Sequence, residues 1–179
     1  MPDRALLADR ARVTGVTIPL FSLRTDRSWG IGEINDLPEF GTWMLTLGIQ
    51  LVQILPLGEI GANETSPYSA LSAFGIDPMY ISLSEVPDLP ESALSEALGG
   101  DDGLKLLEAA KTAAAVDYAG VRALKNRALR FAFERFKQTE HGKQTPRDDT
   151  FDSFMQHEHT WLDDYALFRA LKDAHGGKP

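Results

Sequence analysis

The sequence predicts an α/β fold that opens with a parallel βαβ unit and continues as amphipathic helix. Two observations carry this. Two apolar, β-rich runs, residues 13–23 and 51–57, flank a segment whose apolar residues recur at helical spacing. From residue 91 onward strand-like patterning is gone, and apolar residues return every three or four positions almost to the end.

Residues 13–23 read Val-Thr-Gly-Val-Thr-Ile-Pro-Leu-Phe-Ser-Leu, rich in the β-branched and aromatic types that pack well on a pleated surface. Pro19 has no amide hydrogen to give a ladder, so the regular strand is expected mostly before it. A turn-rich segment, 24–33, follows and contains Trp29-Gly30-Ile31-Gly32. Asn35 is the expected N-cap of the next helix, with Asp36 at the positive end of its dipole and Pro38 in its first turn. Leu37, Phe40, Met44 and Leu47 mark its apolar face, and Gly48 its stop. Residues 51–57 form the second strand. A crossover helix between two strands makes them parallel, and parallel strands are expected to be apolar and buried on both faces.

Residues 58–78 read as a long Gly-containing loop, and residues 79–83 as a short extended piece. Four helical segments come next. The first, 91–98, is closed by Gly99-Gly100; the second, capped by Asp101 or Asp102, runs to about residue 111. Asp117 caps the third, with Val121, Leu124, Ala128, Phe131 and Arg135 along one face and Leu129, Phe133 and Phe136 widening the stripe. After a polar break at 141–146, the last helix spans 148–174, its stripe running from Phe151 through Trp161 and Tyr165 to Phe168 and Leu171. The expected division is a tail (1–12), βα units (13–86) and a helical subdomain (87–179). Parallel strands are stable only in larger sheets covered on both faces. Strand material stops near residue 83, so further strands are expected beyond Pro179, with residues 177–179 as a linker.

At 179 residues the chain has the length of one ordinary domain. Its net charge of −8 argues against nucleic acid and anionic membranes, both of which reward clustered Lys and Arg. Cysteine is absent, which excludes disulfides and thiolate metal sites and fits a cytoplasmic location. Residues 1–12 carry alternating charges rather than the apolar core of a signal peptide, and no run reaches the ~18 apolar residues of a membrane span.

Val16-Thr17-Ile18-Pro19, Trp29-Gly30-Ile31-Gly32, Ile54-Leu55-Pro56 and Ser66-Pro67-Tyr68-Ser69, in that order, resemble segments of the amylomaltase (4-alpha-glucanotransferase, disproportionating enzyme) family. Val16-Thr17-Ile18-Pro19-Leu20-Phe21-Ser22-Leu23 is similar to its first barrel strand, and Trp29-Gly30-Ile31-Gly32-Glu33 to the loop after it. Residues 36–47 resemble its first barrel helix. Gln53-Ile54-Leu55-Pro56-Leu57 resembles the second strand, while Ser66-Pro67-Tyr68-Ser69 and Ser72-Ala73-Phe74 resemble the active-site loop. Val116-Asp117-Tyr118 with Lys125, and the segment from Trp161 to Lys172, resemble later family segments. Asp77-Pro78 stands where the family often has Asn-Pro, and Asn63-Glu64-Thr65 where many members have Gly-Asp. The resemblance implies a (β/α)8 TIM barrel with helical insertions, of which this chain supplies the first βα units and an insertion. It implies transfer of α-1,4-glucan segments between malto-oligosaccharides by a retaining double displacement, without a cofactor. That chemistry needs two carboxyl groups ~5–5.5 Å apart across the scissile bond. None of the positions matching family motifs here is one of them; the catalytic residues are expected beyond Pro179, and the chain alone is expected to be inactive without the rest of the barrel. The rival expectation is a non-catalytic malto-oligosaccharide-binding or assembly module.

Four residues are candidates for substrate contact. Tyr68 comes first, because a pyranose presents C–H groups that stack on an aromatic face while the phenol can hydrogen-bond a hydroxyl. Ser66 either meets sugar or holds the turn. Asp77 brings a carboxylate near the loop, although Asp before Pro commonly fixes a turn. Trp29 lies on the loop after the first strand, where packing competes with a subsite platform. Gly30-Ile31-Gly32 lacks the third glycine of a dinucleotide fingerprint. His157 and His159 are two apart on a helix and point to different sides, so joint metal ligation is not expected. Trp161, Tyr165 and Phe168 are expected to be a packing stripe, and Asp163-Asp164 solvated surface.

Overall fold

The computed structural model describes residues 13–61 and 64–176. The expected tail 1–12, the linker 177–179 and loop positions 62–63 lie outside the described residues. Strand β1 (Gly15–Ile18) pairs in parallel with β2 (Leu51–Ile54), in register from Gly15 opposite Leu51 to Ile18 opposite Ile54. Helix α1 (Leu37–Thr46) is the crossover between them. β1 ends where Pro19 removes a ladder donor, and the chain tightens into a 3-10 turn at Leu20–Ser22.

The start of α1 differs from expectation. Asn35 lies inside a 3-10 turn, Ile34–Asp36, rather than at the cap. Asp36 instead reaches back, its Oδ2 accepting the Glu33 amide at 2.7 Å. A charged acceptor makes the stronger bond, so the carboxylate organises this corner. At the other end Gly48 takes φ +73°, as a helix stop requires.

The strands are not buried on both faces. Both alternate exposed and half-buried positions, because the described sheet has only two strands and its outer face is uncovered. Trp43, Leu45 and Leu47, at the outer side of α1, are exposed for the same reason.

Residues 79–83 form no strand, although Ile81 and Ser82 take extended angles. They enter two 3-10 turns, Pro78–Tyr80 and Leu83–Glu85, which bury Met79, Tyr80 and Leu83. Pro78 presets a helical φ, and the Asp77 carboxylate accepts the Met79 amide at 3.0 Å. Helix α2 (Leu94–Leu98) follows a 3-10 turn at Glu91–Ala93 and closes on Gly99. Helix α3 (Asp101–Thr112) is capped by Gly100; Asp101 and Asp102 sit in its first turn, where they complement the dipole. Asp117 caps α4 (Tyr118–Thr139), accepting the Gly120 amide at 3.0 Å. Helix α5 (Pro146–Ala174) begins two residues earlier than expected, with Thr145 as cap and Pro146 at the first position.

One core runs through Leu20, Ile31, Leu83, Leu98, Val121 and Ala128, crossing the expected boundary at residues 86/87. Helix α4 is its spine. Helix α5 stands apart: Asp148 is its one buried residue, and Phe154, Phe168 and Leu171 of the expected packing stripe are exposed. No helix among the described residues is long and apolar enough to cross a membrane.

Candidate functional site

The loop leaving β2 is a short antiparallel ribbon with a free tip. Isolated bridges join Gly58 to Ile76 and Ile60 to Ala70. The Glu59 amide donates to the Gly75 carbonyl at 2.9 Å, and the Glu59 carbonyl accepts from Leu71 at 2.7 Å. The tip is a β-turn from Ser66 to Ser69, closed by the Ser69 amide on the Ser66 carbonyl at 3.1 Å, with Pro67 stiffening its second position. Tyr68 occupies the third position and is 73% exposed. Ser66 is exposed beside it; its hydroxyl accepts the Tyr68 amide at 3.4 Å. The loop thus presents a phenol and a hydroxyl together, held from behind.

Asp77 and Trp29 are elsewhere. Asp77 is 1% exposed and fully engaged. Its carboxylate accepts from the amides of Ile60 (3.2 Å) and Met79 (3.0 Å) and takes a two-pronged pair from Arg122 at 3.2 and 3.0 Å. Both arms of the loop and helix α4 therefore meet on one side chain, which leaves no lone pair facing solvent for a sugar. Trp29, 5% exposed, packs in the core, and its amide donates to Glu33 Oε1 at 3.0 Å. The neighbouring Gly30 has φ +79°, and a Cβ there would lie 2.6 Å from the Ala110 carbonyl oxygen. The Trp29 segment is pressed against α3, and burial removes the ring face that a sugar platform needs. Of the four candidates the structure brings Tyr68 and Ser66 together, buries Asp77 at the base of the loop and buries Trp29 in the core.

Two buried ionic centres lie outside the four candidates: Glu33 and Lys125 entered the sequence analysis only as part of the family resemblance, and Glu59 not at all. Lys125 Nζ, fully enclosed, donates to Glu33 Oε1 at 2.6 Å and to the Ile81 carbonyl at 2.8 Å. Burial pushes the Glu33 carboxyl up, against the pull of Lys125; burial likewise pushes the Lys125 ammonium down, against the pull of Glu33. The second centre is Glu59, also buried. It accepts from the Tyr165 hydroxyl and pairs with Arg169 Nη2 at 3.2 Å. Burial raises its carboxyl above the ordinary range, with Arg169 opposing. The available signal was a charged residue inside an apolar pattern: Glu59 between Gly58 and Ile60, Lys125 between Leu124 and Ala128.

Trp161 stacks on Phe74 with centroids 5.7 Å apart, while Phe168 faces solvent and Asp163 and Asp164 are exposed. Among the described residues one cluster of metal-ligating types lies together, His141, Asp148 and Asp152. Its Asp148 carboxylate already accepts the Gln144 amide at 3.1 Å and contacts His141 Nδ1 at 3.1 Å, an arrangement that ties down the start of α5.

A family model described as 4-alpha-glucanotransferase matches residues 18–179. Among individual relatives, a 4-alpha-glucanotransferase of Chlamydia caviae is 33% identical over 165 residues, covering 92% of this chain and 29% of the relative. One from Thermus thermophilus is 35% identical over 153 residues, covering 84% of this chain and 27% of the relative. The rice 4-alpha-glucanotransferase DPE2 is 31% identical over 179 residues, covering 97% of this chain and 18% of its own length. The chain spans less than a third of the length of these relatives.

Proposed function

Because the chain belongs to the 4-alpha-glucanotransferase family, we propose that it supplies one wall of an α-1,4-glucan site, with Tyr68 stacking on a sugar ring and Ser66 beside it. The observation that carries this is the tip of the β2 loop. A phenol ring 73% exposed on a Pro-stiffened turn has both its face and its hydroxyl open to a sugar, and the base of the turn is tied down by Asp77 and the two bridges. Rigid presentation of an aromatic face lowers the ordering cost of binding a flexible saccharide.

In this reading the strand pair and α1 are the first units of a (β/α)8 barrel, and the exposed flank formed by β2 and α1 is where further strand–helix units pack. Loops after the carboxyl ends of barrel strands carry the chemistry in that architecture, and the β2 loop is such a loop. The reaction is transfer of glucan segments between malto-oligosaccharides with retention. Its nucleophile and acid would be two carboxyl groups ~5–5.5 Å apart. The carboxylates behind the loop do not serve: Asp77 is saturated by Arg122 and two amides, and Glu59 by Arg169 and Tyr165. The chain by itself should therefore hold sugar without transferring it.

Titration with maltoheptaose, followed by calorimetry or by shifts of the Tyr68 ring signals, tests this. Binding that weakens about tenfold in Tyr68→Ala supports the assignment, that being the scale of one aromatic stack. Equal affinity in the variant removes Tyr68 from the site. Formation of glucose and longer glucans from maltotriose by the chain alone would overturn the reading that it holds sugar without transferring it.

A further inference from the structure

Helix α5 touches the remainder of the molecule sparsely, yet three of its side chains converge on the loop that carries Tyr68. Glu59 is the residue where they meet the loop's own hydrogen bonds. Its amide donates to the Gly75 carbonyl and its carbonyl accepts from Leu71, both on the arm that returns from Tyr68, and its carboxylate is taken by Tyr165 and Arg169 of α5. One turn earlier on α5, Trp161 stacks on Phe74 at an interplanar angle of 18°. The fit is close at Gly75, where a Cβ would lie 2.7 Å from Tyr165 Cζ.

We propose that α5 is a brace for the sugar-facing loop, and that Glu59, Tyr165 and Arg169 are positioning residues for Tyr68. Leu71 follows Tyr68 by three residues, so the height of the turn above the sheet depends on where Glu59 is pinned. A buried carboxylate is held firmly only when its partners stay in place. Displacing α5 leaves Glu59 without them, drives it toward water, and lets the ribbon twist at the Leu71 bond. The consequence for sugar affinity rests on the reading of Tyr68 as a sugar contact; the consequence for loop position does not.

Two variants reach the brace from opposite sides. Tyr165→Phe combined with Arg169→Met removes both partners of Glu59, and Gly75→Ala pushes the Tyr165 ring away while leaving every charge intact. The readout is amide hydrogen exchange, residue by residue, with maltoheptaose affinity measured in parallel. Both variants should exchange Leu71 and Ile60 about tenfold faster or more, with Leu124 and Ala128 in α4 unchanged, as expected of local opening. Arg169→Lys, which keeps the charge on Glu59, should restore most of the protection when Tyr165 is intact. Unchanged exchange at Leu71 and Ile60 would overturn the proposal, and so would an equal acceleration in α4, which marks global destabilisation. If exchange responds locally while the parent chain does not bind maltoheptaose, the brace stands and the sugar reading of Tyr68 fails.

Discussion

Lys125 lies on the apolar stripe of α4 and is among the most enclosed side chains of the molecule. It is tolerated there because its ammonium donates hydrogen bonds to Glu33 and the Ile81 carbonyl, tying the loop after β1 and the 79–85 segment to α4. The pair costs desolvation on both sides, as the opposed shifts of its two members indicate. Lys125→Met alone should therefore cost about 3–5 kcal/mol, since it strands a buried carboxylate. Adding Glu33→Gln, which keeps an acceptor for the Trp29 amide, should recover part of that loss. Urea midpoints of the four members of this cycle check it, and simple additivity would show that the two groups do not interact. Asp77 teaches a related point. Its carboxylate has a guanidinium partner, Arg122, that the neutral amide of an Asn would not engage in the same two-pronged way.

Helices α4 and α5 are both well capped, but they carry different weight. Asp117 starts a helix that buries Val121, Leu124 and Ala128, so Asp117→Ala should lower global stability by about 1 kcal/mol, seen as a lower urea midpoint. Thr145 starts a helix with one buried residue. Thr145→Ala should fray its first turn, visible as faster amide exchange at Asp148, while the global midpoint moves less than in Asp117→Ala. Equal midpoint shifts in the two variants would contradict this ranking. The capping residues Asp117 and Gly48 were legible in the sequence because caps are local chemistry. The start of α1 was not, because Asp36 satisfies the amide three residues back and moves the cap away from Asn35.

At the scale of the whole molecule, the loop, α4 and α5 are joined by ionisable groups, and that makes stability depend on pH. The folded-state affinity of Glu59 for a proton is raised above its ordinary value of 4.5, chiefly by burial. Its contribution to stability is therefore fully present below that value and is lost as pH rises through the raised folded value. Arg169, Asp77, Arg122 and Asp173 all bear on it. The wild-type urea midpoint, taken relative to Glu59→Gln, should fall as pH increases upward from 4.5. A difference that stays flat with pH would show that Glu59 does not titrate abnormally. The exposed Trp43, Leu45 and Leu47 belong to this scale too, since they adjoin the open sheet that the barrel reading fills with further units.

Local chemistry, read from the chain alone, determined the parallel strand pair, its crossover helix, most helix ends and the family, because each depends on residues near one another in sequence. The turn that exposes Tyr68 was equally legible: Pro67 and the closing Ser69 bond lie within four residues. Only the tertiary structure decided that Asp77 and Trp29 are buried, that Lys125 and Glu59 are buried ionic anchors, and that Trp161 and Tyr165 of the α5 stripe meet the loop while Phe154, Phe168 and Leu171 stay exposed. Those outcomes rest on partners 45, 92, 106 and more residues away, such as Arg122 on Asp77, Glu33 on Lys125 and Tyr165 on Glu59. A pattern of side chains along a helix says which face is apolar; what covers that face is set by the rest of the fold.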